Sequence, residues 1–177
     1  MPKIVDHDAQ REMLLEKAFE LFADQGYAAL SMRGLAQGIG VSTGTLYHYF
    51  DTKDAIFEAM VQRAAERDVQ AALATLPSNA TTEQKLLLIS AWIRSEQRHL
   101  QRTLLLVLDF GRHRQDGAAK ALIRGVSNHY RDTLNQELGN LPGIWPMVVG
   151  SLVAALLEGN ETEDLSLLLA PLVAASN

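Results

Sequence analysis

The 177-residue chain contains no cysteine. That excludes disulfides, thiolate-held zinc, iron–sulfur clusters and a cysteine nucleophile. Proline is scarce, at 5 residues, and the 12 glycines are clustered. β-branched runs and period-two alternation are missing, so nothing reads as a strand. The most apolar stretch, Ile144 to Leu157, has 14 residues, short of the ~20 needed to span a bilayer. The opening residues MPKIVDHDAQREM have no apolar centre and do not read as a signal peptide. A cytoplasmic location without a membrane partner is the expectation. Basic charge is in deficit: 16 Lys and Arg against 21 Asp and Glu leave a formal −5. Taken alone, that balance weighs against nucleic acid as a partner.

The residues that are present favour helix. Ala, Leu, Glu, Gln and Arg dominate. Leu14, Ala18, Leu21 and Phe22 recur at helical spacing and predict a first helix over Asp8–Ala23. Ser31 stands where it can cap a short helix Met32–Gly38, and Gly40 where it can turn the chain. Ser42 can cap a second short helix ending near Tyr49. A long helix then runs from Asp51 or Thr52 to about Thr75, with Phe57, Met60, Val61 and Ala64 on one face. Leu76–Ala80 breaks it. Thr81 and Gln84 have capping-box spacing and open a helix expected to reach about Leu100. Further helices are expected over Thr103–Phe110, Gln115–Leu138, Pro146–Glu158 and about Asp164–Ala175. The chain therefore reads as all-α, with roughly nine helices.

The segment Ser31–Phe50 is the most informative. It reads as two short helices joined at a tight turn. Ala36 must be small where the second helix crosses, and Leu35, Ile39, Val41, Leu46 and Phe50 are spaced to hold the pair against the first helix. Thr43, Gly44, Thr45, Tyr47 and His48 are left facing outward. Hydroxyls and glycine at the start of a helix let its backbone approach DNA closely, and the N–H groups there suit phosphate.

With the flanking Ala18-Phe19-Glu20-Leu21-Phe22, Gly26-Tyr27 and Thr52-Lys53-Asp54-Ala55-Ile56-Phe57, this segment resembles the DNA-binding domain of the TetR family of bacterial transcriptional regulators, over about residues 8–60. The resemblance implies a helix-turn-helix domain over residues 1–52, with the start of a connecting helix to about 67. Residues 53–177 would form a helical effector-binding and dimerisation domain. It also implies DNA contacts by Ser31, Met32, Arg33, Thr43, Gly44, Thr45, Tyr47, His48, Tyr49 and Lys53, with Arg33 a candidate for reading guanine. The implied partners are double-stranded operator DNA, a second copy of the chain and a largely apolar small-molecule effector. Repression is the commoner outcome in the family. Residues 1–67 carry seven Lys and Arg against ten Asp and Glu, a net −3, so any positive footprint must be local.

Residues 144–158 carry one charge, Glu158, and residues 165–175 carry none. Such helices suit burial against a second copy or within the chain's own core. Val148, Val149, Leu152, Leu156, Leu168 and Leu172 are the interface candidates. Thr81–Leu138 is the candidate effector region, with Trp92, Asp109, Phe110, His113, His129 and Tyr130 as lining candidates. Asp109 could equally pair with Arg112 or Arg114. Glu96-Gln97-Arg98-His99 has the Glu-x-x-His spacing of helical dimetal sites, but its second copy is missing and arginines surround it. No phosphate loop or nucleophile elbow occurs, so no enzyme activity, metal or cofactor is expected.

Overall fold

The computed structural model describes residues 6–139, 143–160 and 162. Among them are eight helices and no strand: α1 (His7–Gln25), α2 (Met32–Ile39), α3 (Thr43–Tyr49), α4 (Lys53–Leu73), α5 (Thr82–Ser95), α6 (Gln97–His113), α7 (Gly117–Leu138) and α8 (Ile144–Glu158). The final helix expected near Asp164–Ala175 lies outside the described residues.

Capping residues set most of the starts. Asp6 accepts the N–H groups of Asp8 and Ala9, and Ser31 accepts that of Gly34. Ser42 accepts the N–H of Thr45. The capping box at α5 is complete, with Thr81 and Gln84 each accepting the other's backbone N–H. Such caps contribute about 1 kcal/mol each by satisfying otherwise orphaned donors.

One boundary departs from the sequence reading. The break between α5 and α6 falls at Glu96, not beyond Leu100, and α6 runs unbroken through Thr103. No glycine or proline marks the place. The Gln97 side chain donates to the Asn160 carbonyl at 2.9 Å and accepts the Thr162 N–H at 2.6 Å. The break is thus tied to a contact with the segment after α8. Glu96 and His99 consequently do not share a helix, and the dimetal spacing has no structural counterpart. Among the described residues, no cluster of three or more His, Asp or Glu could hold a metal, and no helix is long and apolar enough to cross a membrane.

The described residues form two compact units. The first comprises residues 6–64 and 105–122, and the second comprises 65–104 and those from 123 onward. A cut at residue 52 would miss the segment 105–122, the end of α6 and the start of α7, which packs with the N-terminal helices. Its ties are specific. Phe110 stacks on Phe57 at 4.3 Å, and Tyr27 sets its edge against both rings at 4.9 and 5.4 Å. Asp109 accepts the Tyr27 backbone N–H at 2.9 Å. Asp54 holds both the Tyr27 hydroxyl and the Arg114 guanidinium. Aromatic pairs of this kind add about 0.5–1.5 kcal/mol beyond their buried area.

The second unit packs Leu86, Ile89 and Ile93 of α5 with Leu100, Leu138, and Ile144, Val148 and Leu152 of α8. Leu76, Trp92, Leu134 and Trp145 lie partly buried against this cluster. Val148 and Leu152 therefore belong to the chain's own core. Their expected role at a surface between copies does not fit, because their side of α8 is already filled.

Candidate nucleic-acid interface

Helices α2 and α3 form a helix-turn-helix packed on α1. Leu35, Ala36, Ile39, Leu46 and Phe50 are buried, as the apolar spacing requires, while Val41 is half-buried. Gly40 has φ +85° and ψ 34°, the left-handed conformation that lets α2 end and α3 begin at a sharp angle. Its N–H reaches back to the carbonyls of Ala36 and Gln37. Gly38 has a different task. A Cβ there would lie 2.7 Å from a Leu21 methyl, so any side chain at this position requires Leu21 to shift.

The outward surface holds Ser31, Arg33, Thr43, Gly44, Tyr47 and His48, all exposed. Met32, Thr45 and Tyr49 are half-buried beside them. Ser31 is occupied as a helix cap, and the Thr45 hydroxyl lies 2.8 Å from that of Ser42. The Ser31 hydroxyl is held by the Gly34 N–H that it caps, and the Thr45 hydroxyl by the capping Ser42.

Lys53 departs from its expected place. Its ammonium donates to the carbonyls of Tyr27 and Leu30 at 2.8 and 2.9 Å and sits 4.0 Å from the centre of the Tyr27 ring. Burial, with the Arg114 charge nearby, pulls its pKa below the usual lysine value. It closes the linker between α1 and α2 instead of reaching a phosphate. Other cations of the domain are similarly committed. Lys17 donates to the Ile39 carbonyl and Arg63 pairs with Glu12 at 2.7 Å, whereas Arg11 lies over the Phe50 ring at 5.1 Å with its guanidinium still exposed. Arg33 alone among the described cations of residues 6–64 has no such partner.

The sequence reading missed His7. Its Nδ1 lies 3.2 Å from the Tyr49 hydroxyl, and its ring centre is 5.9 Å from that of His48. Nothing local signals this contact, because 42 residues separate His7 from Tyr49.

The expected effector residues scatter. Asp109, Phe110 and His113 belong to the first unit. Asp109 is taken by the Tyr27 N–H, by an ion pair with Arg112 and by the His113 ring at 3.2 Å, and Phe110 by its ring stack. His129 is exposed. Trp92 and Tyr130 remain in the second unit. The Tyr130 hydroxyl donates to Asp68 at 2.8 Å, and its ring stacks on Trp145 with centres 5.5 Å apart. Asp68 is only 3% exposed and also faces His99 at 3.1 Å and Arg67 at 3.7 Å. Burial, and then the Asp68 charge, push the Tyr130 phenol far above its ordinary pKa, so it stays a donor. Asp68 itself escaped the sequence reading, since one acid in a charged helical stretch looks like a solvated position.

Comparison with known proteins agrees with this geometry. Residues 14–60 match the family described as "Bacterial regulatory proteins, tetR family". The HTH-type transcriptional repressor Rv1474c of Mycobacterium tuberculosis is 42% identical over 69 residues, 38% of this chain and 37% of that protein. The HTH-type transcriptional regulator BetI of Rhizobium meliloti is 30% identical over 94 residues, 53% of this chain and 45% of that one. The matches thus span less than half the length of these curated relatives. Solved structures extend the likeness of fold over most of the chain. NemR of Escherichia coli has a TM-score of 0.73 at 19% identity, covering 94% of this chain and 95% of its own. The multidrug binding protein EbrR, complexed with malachite green, has a TM-score of 0.71 at 17% identity, covering 92% and 97%. FadR of Bacillus subtilis, in complex with stearoyl-CoA, has a TM-score of 0.70 at 17% identity, covering 92% and 95%. With the helix-turn-helix built on Gly40 and the family match over that same segment, residues 14–60 form a DNA-binding domain of the kind that defines the TetR family of bacterial regulatory proteins.

Proposed function

We propose that the protein is a transcriptional regulator that binds a palindromic operator as a homodimer, most simply as a repressor, and is released by a small-molecule effector. The observation that carries the DNA-binding part is the exposed surface of Arg33, Thr43, Gly44, Tyr47 and His48 on a helix-turn-helix capped by Ser31 and Ser42. Its α3 has the size and exposure to enter a major groove, and Arg33 carries a guanidinium free to pair with guanine.

Dimerisation is supported by the second side of α8. Val149 and Val153 are half-exposed, Leu156 is exposed, and Leu157 is 80% exposed. That stripe is apolar, and no charge interrupts it before Glu158. The interface is therefore assigned to Val149, Val153, Leu156 and Leu157; Leu168 and Leu172 lie outside the described residues.

The effector would bind in the second unit. Trp92, Tyr130 and Trp145 offer aromatic surface, and the Asp68–Tyr130 pair offers a buried polar anchor. The ligands named for EbrR and FadR, malachite green and stearoyl-CoA, carry large apolar parts, which fits this lining. Release would follow from helix continuity. Helices α4, α6 and α7 each contribute residues to both units. A ligand that tilts them changes the spacing of the two recognition helices, while half-site spacing on DNA is fixed by its helical repeat.

The test is selection from a random duplex library, followed by a gel shift with the selected DNA. The expected result is a two-fold symmetric consensus bound by a dimer. A folded protein that selects no duplex would overturn the reading.

A further inference from the structure

We propose that His7, His48 and Tyr49 form a proton-dependent phosphate site, so that this protein's grip on DNA tightens when the two imidazoles are protonated. The inference rests on the DNA-binding reading above and concerns how that surface takes the phosphodiester backbone.

The domain is acidic, and its permanent cations are mostly spent within it. Lys17, Lys53 and Arg63 bond to their own domain. Phosphate neutralisation needs positive charge at the surface. Where α1 meets the end of α3, two imidazoles, a phenol and a guanidinium gather. His7 and Arg11 stand one turn apart on α1. His7 approaches the His48 ring at 5.9 Å and the Tyr49 ring at 6.0 Å, and Arg11 lies over Phe50. His7, Arg11 and His48 are exposed, so a phosphate can reach them.

The charged groups around this cluster are few. On α1, Asp6 accepts two backbone N–H groups at 3.1 Å, and Asp8 follows His7 directly. On α3 the titratable neighbours are Tyr47 and Tyr49, and exposed Asp51 lies just beyond. No ion pair holds either histidine to a carboxylate among the described residues. Their charge is available to a ligand.

Protonation acts in two ways. It adds positive charge at His7 and His48, beside the Arg11 guanidinium. It also reverses a hydrogen bond. When Nδ1 of His7 carries a lone pair, the Tyr49 hydroxyl donates to it across the 3.2 Å contact. When that nitrogen is protonated it donates to Tyr49, and the phenol hydrogen is released to donate to a phosphate oxygen. His7 is thus a positioning residue for Tyr49 as well as a charge.

The experiment measures affinity by fluorescence anisotropy from pH 6 to pH 8 at constant ionic strength. It uses the full chain and a duplex selected from a random library at pH 7. Wild-type affinity should fall by about tenfold or more over that range, and the salt slope should be steeper at pH 6 by about 0.9 for each histidine charged. His7→Gln with His48→Gln should flatten both profiles, and Tyr49→Phe should reduce the pH slope without removing it. Circular dichroism checks that each variant is folded. A wild-type profile flat with pH, or a double variant that keeps the wild-type slope, overturns the proposal while leaving the regulator reading intact. If no duplex is selected at all, the regulator reading fails and this one falls with it.

Discussion

At the scale of single residues, the recognition surface separates side chains that hold the domain together from those free to meet DNA. Arg33 is exposed and unpartnered, so Arg33→Ala should leave stability unchanged. It should weaken operator binding by about 1–3 kcal/mol and relax preference at one base pair. Gel shifts against single-base operator variants would show this; equal affinity on every variant for both proteins would refute it. Lys53→Ala should do the opposite. Its ammonium closes the Tyr27–Leu30 linker, so melting temperature should drop before any loss of DNA contact is felt. At Gly40 a Cβ meets nothing within 4 Å, so Gly40→Ala isolates the cost of a left-handed backbone, about 1–2 kcal/mol by chemical denaturation. An unchanged denaturation midpoint would mean that the turn relaxes.

At the scale of elements, α8 has two apolar sides with different fates. Val148 and Leu152 pack inward, whereas Leu157 is exposed. Leu157→Glu should therefore yield a folded monomer in sedimentation, while Leu152→Glu should unfold the second unit by burying an unpaired carboxylate. If Leu157→Glu stays dimeric, α8 is not the interface. Asp68 ties α4 to α6 through His99 and to α7 through Tyr130. Removing the Tyr130 hydroxyl leaves a buried carboxylate short of a donor, so Tyr130→Phe should cost about 1–3 kcal/mol. Thermal melts of the variant would measure it.

At the scale of the whole molecule, the acidic balance sets how binding responds to salt. Few Lys and Arg are free to release counterions, so near neutral pH the slope of log affinity against log salt should correspond to about 2–4 cations per half-site. A much steeper slope would mean that other basic side chains dominate. The proposed release by an effector would be a linkage: about 1–3 kcal/mol of coupling would weaken operator binding roughly 5–150-fold, and operator would weaken the ligand by the same factor. Calorimetric titration of an identified effector, with and without saturating operator, tests this; equal affinities would exclude it.

Local chemistry was legible in the amino-acid order alone. Ser31, Ser42, Thr81 and Gln84 are caps because their side chains reach only the adjacent backbone, and Gly40 turns because only its own dihedrals are at stake. The buried spacing of Leu35, Ile39 and Leu46 follows from the helical period. What required tertiary structure is every pairing across large separations. Asp109 and Phe110 look like pocket residues until Tyr27 and Phe57, more than fifty positions earlier, claim them. Lys53 looks like a phosphate contact until two carbonyls of the linker between α1 and α2 accept its hydrogen bonds. Val148 and Leu152 look equivalent to Leu157, because a uniformly apolar helix carries no mark of which side its own chain will cover. Periodicity reports that a side chain will be buried; only the folded chain decides against what.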